Sequence, residues 1–109
     1  MNWIQKLFIG PSQIWGGPQR SIGWNKVRDE HIKKQPVCCG CNASSRLEAH
    51  HIIPFHVRPD LELEPGNLIT LCRDCHWNIG HLRDWSLCNP CVVEDAEDYL
   101  RRFLEARRK

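Results

Sequence analysis

The sequence predicts a small α+β domain in which two short strands are flanked by helices. Three observations predict it. Two strand-like segments, residues 47–53 and 68–71, are separated by a loop that contains three prolines and closes in a Pro-Gly turn. Apolar residues recur at helical spacing over residues 92–108. Two Cys-x-x-Cys pairs, residues 38–41 and 72–75, flank the strand segments. The length of 109 residues is that of one domain with a limited core.

The secondary-structure elements are expected in the order helix, strand, strand, helix, helix. Ser21 is a suitable N-cap for a first helix over residues 22–34, which Pro36 would end. A second, short helix should begin near Cys75 or His76 and weaken at Gly80. The third covers residues 92–108, with acidic residues in its first turns and arginines in its last, as the helix dipole favours. Its expected buried face consists of Val93, Ala96, Leu100, Phe103 and Leu104.

The charge distribution is more informative than the net charge of +2. Basic residues are concentrated in residues 20–46 and again in residues 101–109. Two such clusters on a nearly neutral protein fit a partner rich in phosphate. Solvated helix faces are the alternative explanation for each cluster. Residues 1–20 contain Gly-Pro and Gly-Gly-Pro breakers and are expected to form a peripheral segment, with the functional domain in residues 21–109.

The seven cysteines indicate a reducing compartment. Their number is odd, and the N-terminal residues lack the apolar core of a secretion signal. No apolar run approaches the roughly 18 residues that a membrane helix needs. We therefore expect a cytoplasmic protein without a membrane partner, in which paired cysteines bind metal more often than each other.

The two Cys-x-x-Cys pairs predict a structural zinc site. Cys38, Cys41, Cys72 and Cys75 offer four thiolates to one tetrahedral ion, which leaves no open position for water. Cys39 is interpreted as a neighbour of this site, because Cys39-x-Cys41 is a poorer chelating turn. A third pair, residues 88–91, has no fourth pair to complete a second site. Two semi-buried thiols are the favoured interpretation of that pair, and a redox pair is the alternative.

The histidines predict a second, open metal site. His50 and His51 are adjacent on the first strand, so their side chains point to opposite faces. One imidazole can therefore bind a metal while the other meets a different partner. His76 directly follows the second cysteine pair, at the head of the short helix. A zinc ion that clamps this helix against the strands would bring His76 near His50.

The order His-His-Ile-Ile-Pro, then Asn67, then Cys-x-x-Cys-His resembles the HNH nucleases, in the branch with a four-cysteine zinc. The resemblance covers residues 38–81 closely, and the flanks are similar to small phage and bacterial members. It implies a ββα-metal core stapled by the zinc, with flanking helices. By the same resemblance His50 and His76 are catalytic metal ligands, and His51 is the general base. Asn67 would pin the loop, its backbone positioning the His51 ring.

The role of His81 is left open. Many members of the family have a further histidine four residues beyond the second ligand, but this chain has Gly80 there and His81 next. Five residues of a regular α-helix rotate about 500°, which places His81 about 140° away from His76. It reaches the metal only if the helix ends or bulges at Gly80. Otherwise it is a helix-terminal histidine.

The resemblance implies a DNA endonuclease that hydrolyses phosphodiester bonds and leaves 5′-phosphate and 3′-hydroxyl ends. Mg²⁺, Mn²⁺, Ni²⁺ and Zn²⁺ all remain candidates for the catalytic ion. Arg58, Arg73 and Arg83 are weak candidates for phosphate contacts, and Glu48 either orients a cation or is a simple strand carboxylate. The alternative function is a non-catalytic zinc module that binds DNA or protein; a nuclease acting on RNA, or a toxin-like one, is weaker. Other phage or bacterial DNA-processing proteins are possible partners.

Overall fold

The computed structural model describes residues 21–108, and the expectation for residues 1–20 lies outside them. Among the described residues, no helix has the length and apolar character needed to cross a membrane. The elements follow in the predicted order, as an α+β fold with one two-stranded sheet. The predicted fold class is therefore confirmed.

Helix α1 (Trp24–Lys34) begins later than predicted, because Ser21 is not its N-cap. Gly23 occupies the cap position with a φ of 98°, in the left-handed region that glycine adopts most readily. The Ser21 hydroxyl instead donates a hydrogen bond to Glu62, 41 residues along the chain. The helix ends as predicted before Pro36, with Gln35 as its C-cap.

Strands β1 (Leu47–His51) and β2 (Leu68–Cys72) pair in antiparallel fashion, with His50 opposite Ile69. The first strand ends two residues before the predicted limit. The amide of Ile52 donates to the Asn67 carbonyl, and the amide of Ile53 donates to the Asn67 side chain, at 2.8 Å each. Asn67 thus turns the chain into the connecting loop, which carries the 3₁₀ turns Pro59–Leu61 and Pro65–Asn67.

The second helix begins directly after β2, two residues before the predicted start. Its α-helical part, α2, is Arg73–Cys75, and a π-helical turn, His76–Gly80, continues it. The Cys72 sulfur accepts the Cys75 amide and so caps the helix. The helical segment ends at Gly80, where weakening was predicted.

Helix α3 (Val92–Arg107) packs through its first turns. Val92 and Ala96 are fully buried there. The predicted buried face is wrong at Leu104, whose exposed fraction is 42%. The core lies only beside the N-terminal half of α3, where Asn89 donates hydrogen bonds to the carboxylate of Asp95 and to the carbonyl of Ile79.

The four predicted zinc ligands lie inside the hydrophobic core. Their sulfur atoms are all within 4.8 Å of one another, and three of the four cysteines are buried. The amides of Gly40 and Cys75 donate hydrogen bonds to the sulfurs of Cys38 and Cys72. Cys39 lies outside this group of four. The arrangement is compatible with a zinc site. The buried core around it comprises Cys38, Ile69, Leu71, Cys72, Cys75, Ile79, Val92 and Ala96.

Val92 tests whether α3 contributes to this core. We expect Val92→Ala to lower the free energy of unfolding by about 2 kcal/mol, because it removes two buried methyl groups and leaves a void. Chemical denaturation of the purified variant measures the change. Glu94→Ala, an exposed position on the same helix, is the matched control and should change stability by no more than about 0.5 kcal/mol. Equal stability of Val92→Ala and wild type would show that α3 is not part of the cooperative core.

Candidate metal centre and catalytic site

Three histidines converge on one point between β1 and the second helix. His50 comes from the strand, and His76 and His81 stand at the two ends of the π turn. A ring nitrogen of each lies within 4.8 Å of the others, and Nε2 of His76 is 3.2 Å from Nε2 of His81. This histidine cluster (His50, His76 and His81) has the donor types and the spacing to hold a divalent cation.

The π turn decides the position of His81. The amide of His81 donates to the carbonyl of His76 at 3.0 Å, so the hydrogen bond spans five residues. A π turn closes over five residues where an α-helix closes over four, and the residue five positions along therefore returns to the same face. The sequence predicts that His81 reaches the metal only if the helix ends or bulges at Gly80. The structure has this bulge, and His81 lies in the cluster.

Gly80 allows the rings to come this close. A Cβ atom at Gly80 would lie 3.2 Å from Cε1 and Nδ1 of His50 and 3.2 Å from Cδ2 of His76. Such contacts are tighter than side chains tolerate without moving. Gly80, which stands where many HNH nucleases have a histidine, therefore leaves room for the rings of His50 and His76.

Hydrogen bonds fix the orientation of two rings in the cluster. Nδ1 of His76 is 2.9 Å from Oε1 of Glu48, and Nδ1 of His81 is 2.7 Å from the carbonyl oxygen of Leu87. In the neutral imidazoles, Nδ1 of each ring donates its proton to its acceptor, and the lone pair of each ring is on Nε2. A carboxylate or carbonyl behind a histidine is the usual support of a metal ligand. Glu48 was a candidate in the sequence, whereas nothing in the local pattern pointed to Leu87.

His50 is the most deeply buried member of the cluster, with an exposed fraction of 4%. Its Nε2 atom is buried and has no hydrogen-bond partner among the described residues. Burial, together with the neighbouring His76 and His81, holds the pKa of His50 well below its usual range. Burial also lowers the pKa of His81, to about 4. Neutral imidazoles and an unsatisfied buried nitrogen fit a bound cation, which would satisfy that nitrogen.

His51 faces a different part of the molecule from His50, as adjacent strand residues do. Its ring stacks on Trp24 of α1, with the ring centroids 4.7 Å apart and the planes 25° from parallel. Its Nε2 atom lies 2.9 Å from the carbonyl oxygen of Glu62. A carbonyl only accepts, so Nε2 carries the proton and Nδ1 the lone pair of the neutral ring. Sequence reasoning identified His51 but neither Trp24 nor Glu62.

Asn67 holds the loop that carries the Glu62 carbonyl. Its side-chain amide donates to the carbonyls of Ile53 and Leu61, at 2.9 and 3.3 Å, and its side-chain oxygen accepts the Ile53 amide. The Asn67 residue is 5% exposed, so these bonds are shielded from water. The Asn67 backbone carbonyl accepts the amide of Ile52, beside His51, while the Glu62 carbonyl accepts the imidazole proton.

Two tryptophans lie beside the histidine cluster. The Trp85 ring lies 4.8 Å from the His81 ring and 5.8 Å from the His76 ring, and it also contacts Trp77. Trp85 remains 43% exposed. The Trp85 indole therefore covers part of the cluster, and Trp77 packs against that indole. Residue spacing gave no sign of this contact, since Trp85 follows the irregular segment after the π turn.

The three candidate arginines differ in their surroundings. Arg58 forms a two-bond ion pair with Asp60, at 2.8 and 2.9 Å. Within residues 21–108, Arg73 and Arg83 are exposed and have no ion-pair partner. In the C-terminal basic cluster, Arg101 and Arg102 both pair with Asp98. The positive charge free to meet phosphate is therefore smaller in α3 than the sequence suggested.

The cysteines of the third pair are unlike each other. Cys88 is buried, which raises its pKa to about 11, whereas Cys91 is exposed. The Cys88 sulfur lies 3.9 Å from Nδ1 of His81, on the side of the ring that bonds to Leu87. At neutral pH Cys88 is a protonated thiol packed behind the cluster.

The comparisons with known proteins agree with this geometry. The model of the HNH endonuclease family matches residues 35–82. Neither the curated proteins nor the solved structures gave a match. The matched segment contains both cysteine pairs, both strands and all three histidines of the cluster. Residues 35–82 are therefore similar to the HNH endonuclease domain.

Proposed function

We propose that this protein is a metal-dependent DNA endonuclease, in which His51 is the general base for phosphodiester hydrolysis. One observation carries the proposal. Three imidazoles converge on a single point, and the adjacent residue on the same strand, His51, has its proton fixed on Nε2. A nuclease of this type needs both a cation site and a base held beside it.

His50, His76 and His81 would hold the catalytic cation. Mg²⁺ prefers oxygen ligands, whereas imidazole suits Zn²⁺, Ni²⁺ and other transition metals. Three nitrogen donors therefore favour a transition metal over Mg²⁺. When bound, such an ion offsets the charge that develops on the phosphate and on the leaving 3′-oxygen.

His51 would take the proton from the attacking water. Because Nε2 donates to the Glu62 carbonyl, Nδ1 is the atom that accepts this proton. The carbonyl also stabilises the imidazolium that forms, since its oxygen remains bonded to the positively charged ring. Arg73 and Arg83 are the better candidates to meet the DNA phosphates, because Arg58 is already paired with Asp60.

The four cysteines would hold a structural zinc ion. A hydrogen bond from the Cys75 thiol holds the pKa of Cys38 well below its usual range, and a thiolate is the form that binds zinc. Four protein ligands close the site, so this ion would support the fold without entering the chemistry.

The burial of His51 favours a second candidate, a non-catalytic zinc module that binds DNA or protein. His51 is only 7% exposed, whereas a general base must meet water. This module would need the four cysteines but not His51. The two functions differ in whether DNA is cut and whether cutting depends on the histidines.

The structural metal can be tested at Cys72. We expect Cys72→Ser to lose one zinc ion per chain and most of its folded structure, because the cysteine cluster joins both strands to the second helix. Elemental analysis and circular dichroism measure the two effects. Cys91→Ser, an exposed cysteine outside the cluster, is the control and should keep both zinc and fold. A folded Cys72→Ser with unchanged thermal stability, or zinc-free wild type, would contradict the assignment.

The general base can be tested by plasmid nicking across a series of divalent metals. We expect His51→Ala to lower kcat by about 10²–10⁴-fold, and excess metal should not restore it. His50→Ala and His76→Ala should also lose activity, but excess metal should restore part of it, because they weaken cation binding. His31→Ala, outside residues 35–82, should cut normally. Wild-type rates in His51→Ala would refute its role, and an inert wild type would favour the binding module.

Gly80 tests the close approach within the histidine cluster. We expect Gly80→Ala to weaken binding of the catalytic cation at least about tenfold, because the new Cβ displaces the rings of His50 and His76. Titration of the zinc-loaded protein with Ni²⁺ or Mn²⁺ by calorimetry measures this affinity. Gly66→Ala is the matched control, since its nearest contact is a Glu64 carboxylate oxygen at 3.6 Å. Unchanged affinity in Gly80→Ala would mean that the cation is not bound by these rings.

A further inference from the structure

Helix α1 reaches the proposed general base although it lies entirely outside the segment that matches the family. Residues 35–82 match, whereas α1 spans Trp24–Lys34. The Trp24 side chain is nonetheless buried, with 8% exposure, and its ring stacks on that of His51. Trp24 is the only residue of α1 that is buried. The one buried side chain of this helix therefore packs against a residue of the proposed catalytic machinery.

Ser21 contacts the same histidine indirectly, through Glu62. Its amide donates to Oε2 of Glu62 at 3.0 Å, and its hydroxyl donates to Oε1. Glu62 is 3% exposed, and a buried carboxylate requires such donors. The carbonyl of the same residue accepts the proton of His51 Nε2. Ser21 therefore anchors the side chain of the residue whose backbone orients the imidazole.

Gly23 allows both contacts to form from one short segment. Its φ of 98° lies in a region that strains other residues. The amide of Trp24 donates to the Ser21 carbonyl at 3.0 Å, which closes a tight turn around Gly23. Ser21 and Trp24 are three residues apart in the sequence. The turn places Ser21 against Glu62 and Trp24 against His51.

We propose that Ser21 and Trp24 are positioning residues for His51, supplied by the chain that precedes the matched segment; this rests on the proposed function. The Trp24 ring restricts rotation of the imidazole. The Ser21–Glu62 bonds hold the acceptor that keeps the proton on Nε2 and the lone pair on Nδ1. A base must lie within hydrogen-bond reach of its proton in the correct tautomer, and a displacement of about 1 Å can cost roughly 10²-fold in rate.

A purely structural role for Trp24 makes a different prediction. If Trp24 only fills space, Leu and Phe should serve about equally well, because both are apolar. If the flat ring restrains His51, Phe should preserve function and Leu should not. Ser21→Ala leaves the indole in place and removes only the hydroxyl that anchors Glu62.

The experiment compares Trp24→Leu, Trp24→Phe and Ser21→Ala in the zinc-loaded full chain. Plasmid nicking gives kcat and KM, and long-range ¹H–¹⁵N NMR gives the tautomer of His51 without reference to activity. We expect Trp24→Leu to lower kcat about 10- to 100-fold with KM nearly unchanged, and to mix the two tautomers. Trp24→Phe should stay within about threefold of wild type, and Ser21→Ala should fall between the two. Ile22→Ala is the control, because Ile22 is fully exposed in the same segment.

Several outcomes would overturn the proposal. A Trp24→Leu protein with wild-type kcat and the Nε2-protonated tautomer would show that Trp24 only fills space. A rise in kcat would show that the indole shields the base. If Trp24→Leu does not fold, equal kcat and equal tautomer in Ser21→Ala and wild type would overturn it. Failure of the proposed function is distinguishable, since wild type would then cut no DNA while the NMR comparison still decides whether His51 is positioned.

Discussion

The convergence of four cysteine sulfurs within 4.8 Å is the constraint on which the rest of the structure depends. One pair lies in the turn before β1, and the other ends β2 and begins the second helix. Holding both pairs together fixes the start of that helix against the strand pair. His76 is the next residue after Cys75, so its distance from His50 follows from the cysteine cluster. The spacing of His50 and His76 is therefore set by the cysteine cluster, which lies outside the histidine cluster.

Strand geometry then separates two chemical roles at neighbouring residues. His50 points into the histidine cluster, where burial holds its pKa low and leaves it neutral. His51 points to the opposite side, where the Glu62 carbonyl and the Trp24 ring define its orientation. The period of two in a strand therefore places the proposed metal ligand and the proposed base at adjacent residues.

Much of this arrangement could be predicted because it depends on local spacing. Each cysteine pair, the adjacent histidines and each strand pattern is contained within a few consecutive residues. Predictions failed where neighbours distant in sequence were decisive. Ser21 looked like a helix cap, but a carboxylate 41 residues away takes its hydroxyl. Leu104 fitted an apolar stripe, but the core does not extend to that part of the helix.

The sequence by itself determined the fold class, the order of the elements, the group of four cysteines and the pair of histidines on β1, because short-range patterns encode them. Only the tertiary structure decided that His81 joins His50 and His76. That outcome depends on a π turn, which adds one residue to a helical turn and which no residue pattern reports. The tertiary structure also decided what surrounds His51, because Ser21, Trp24 and Glu62 meet only when the chain has folded around it.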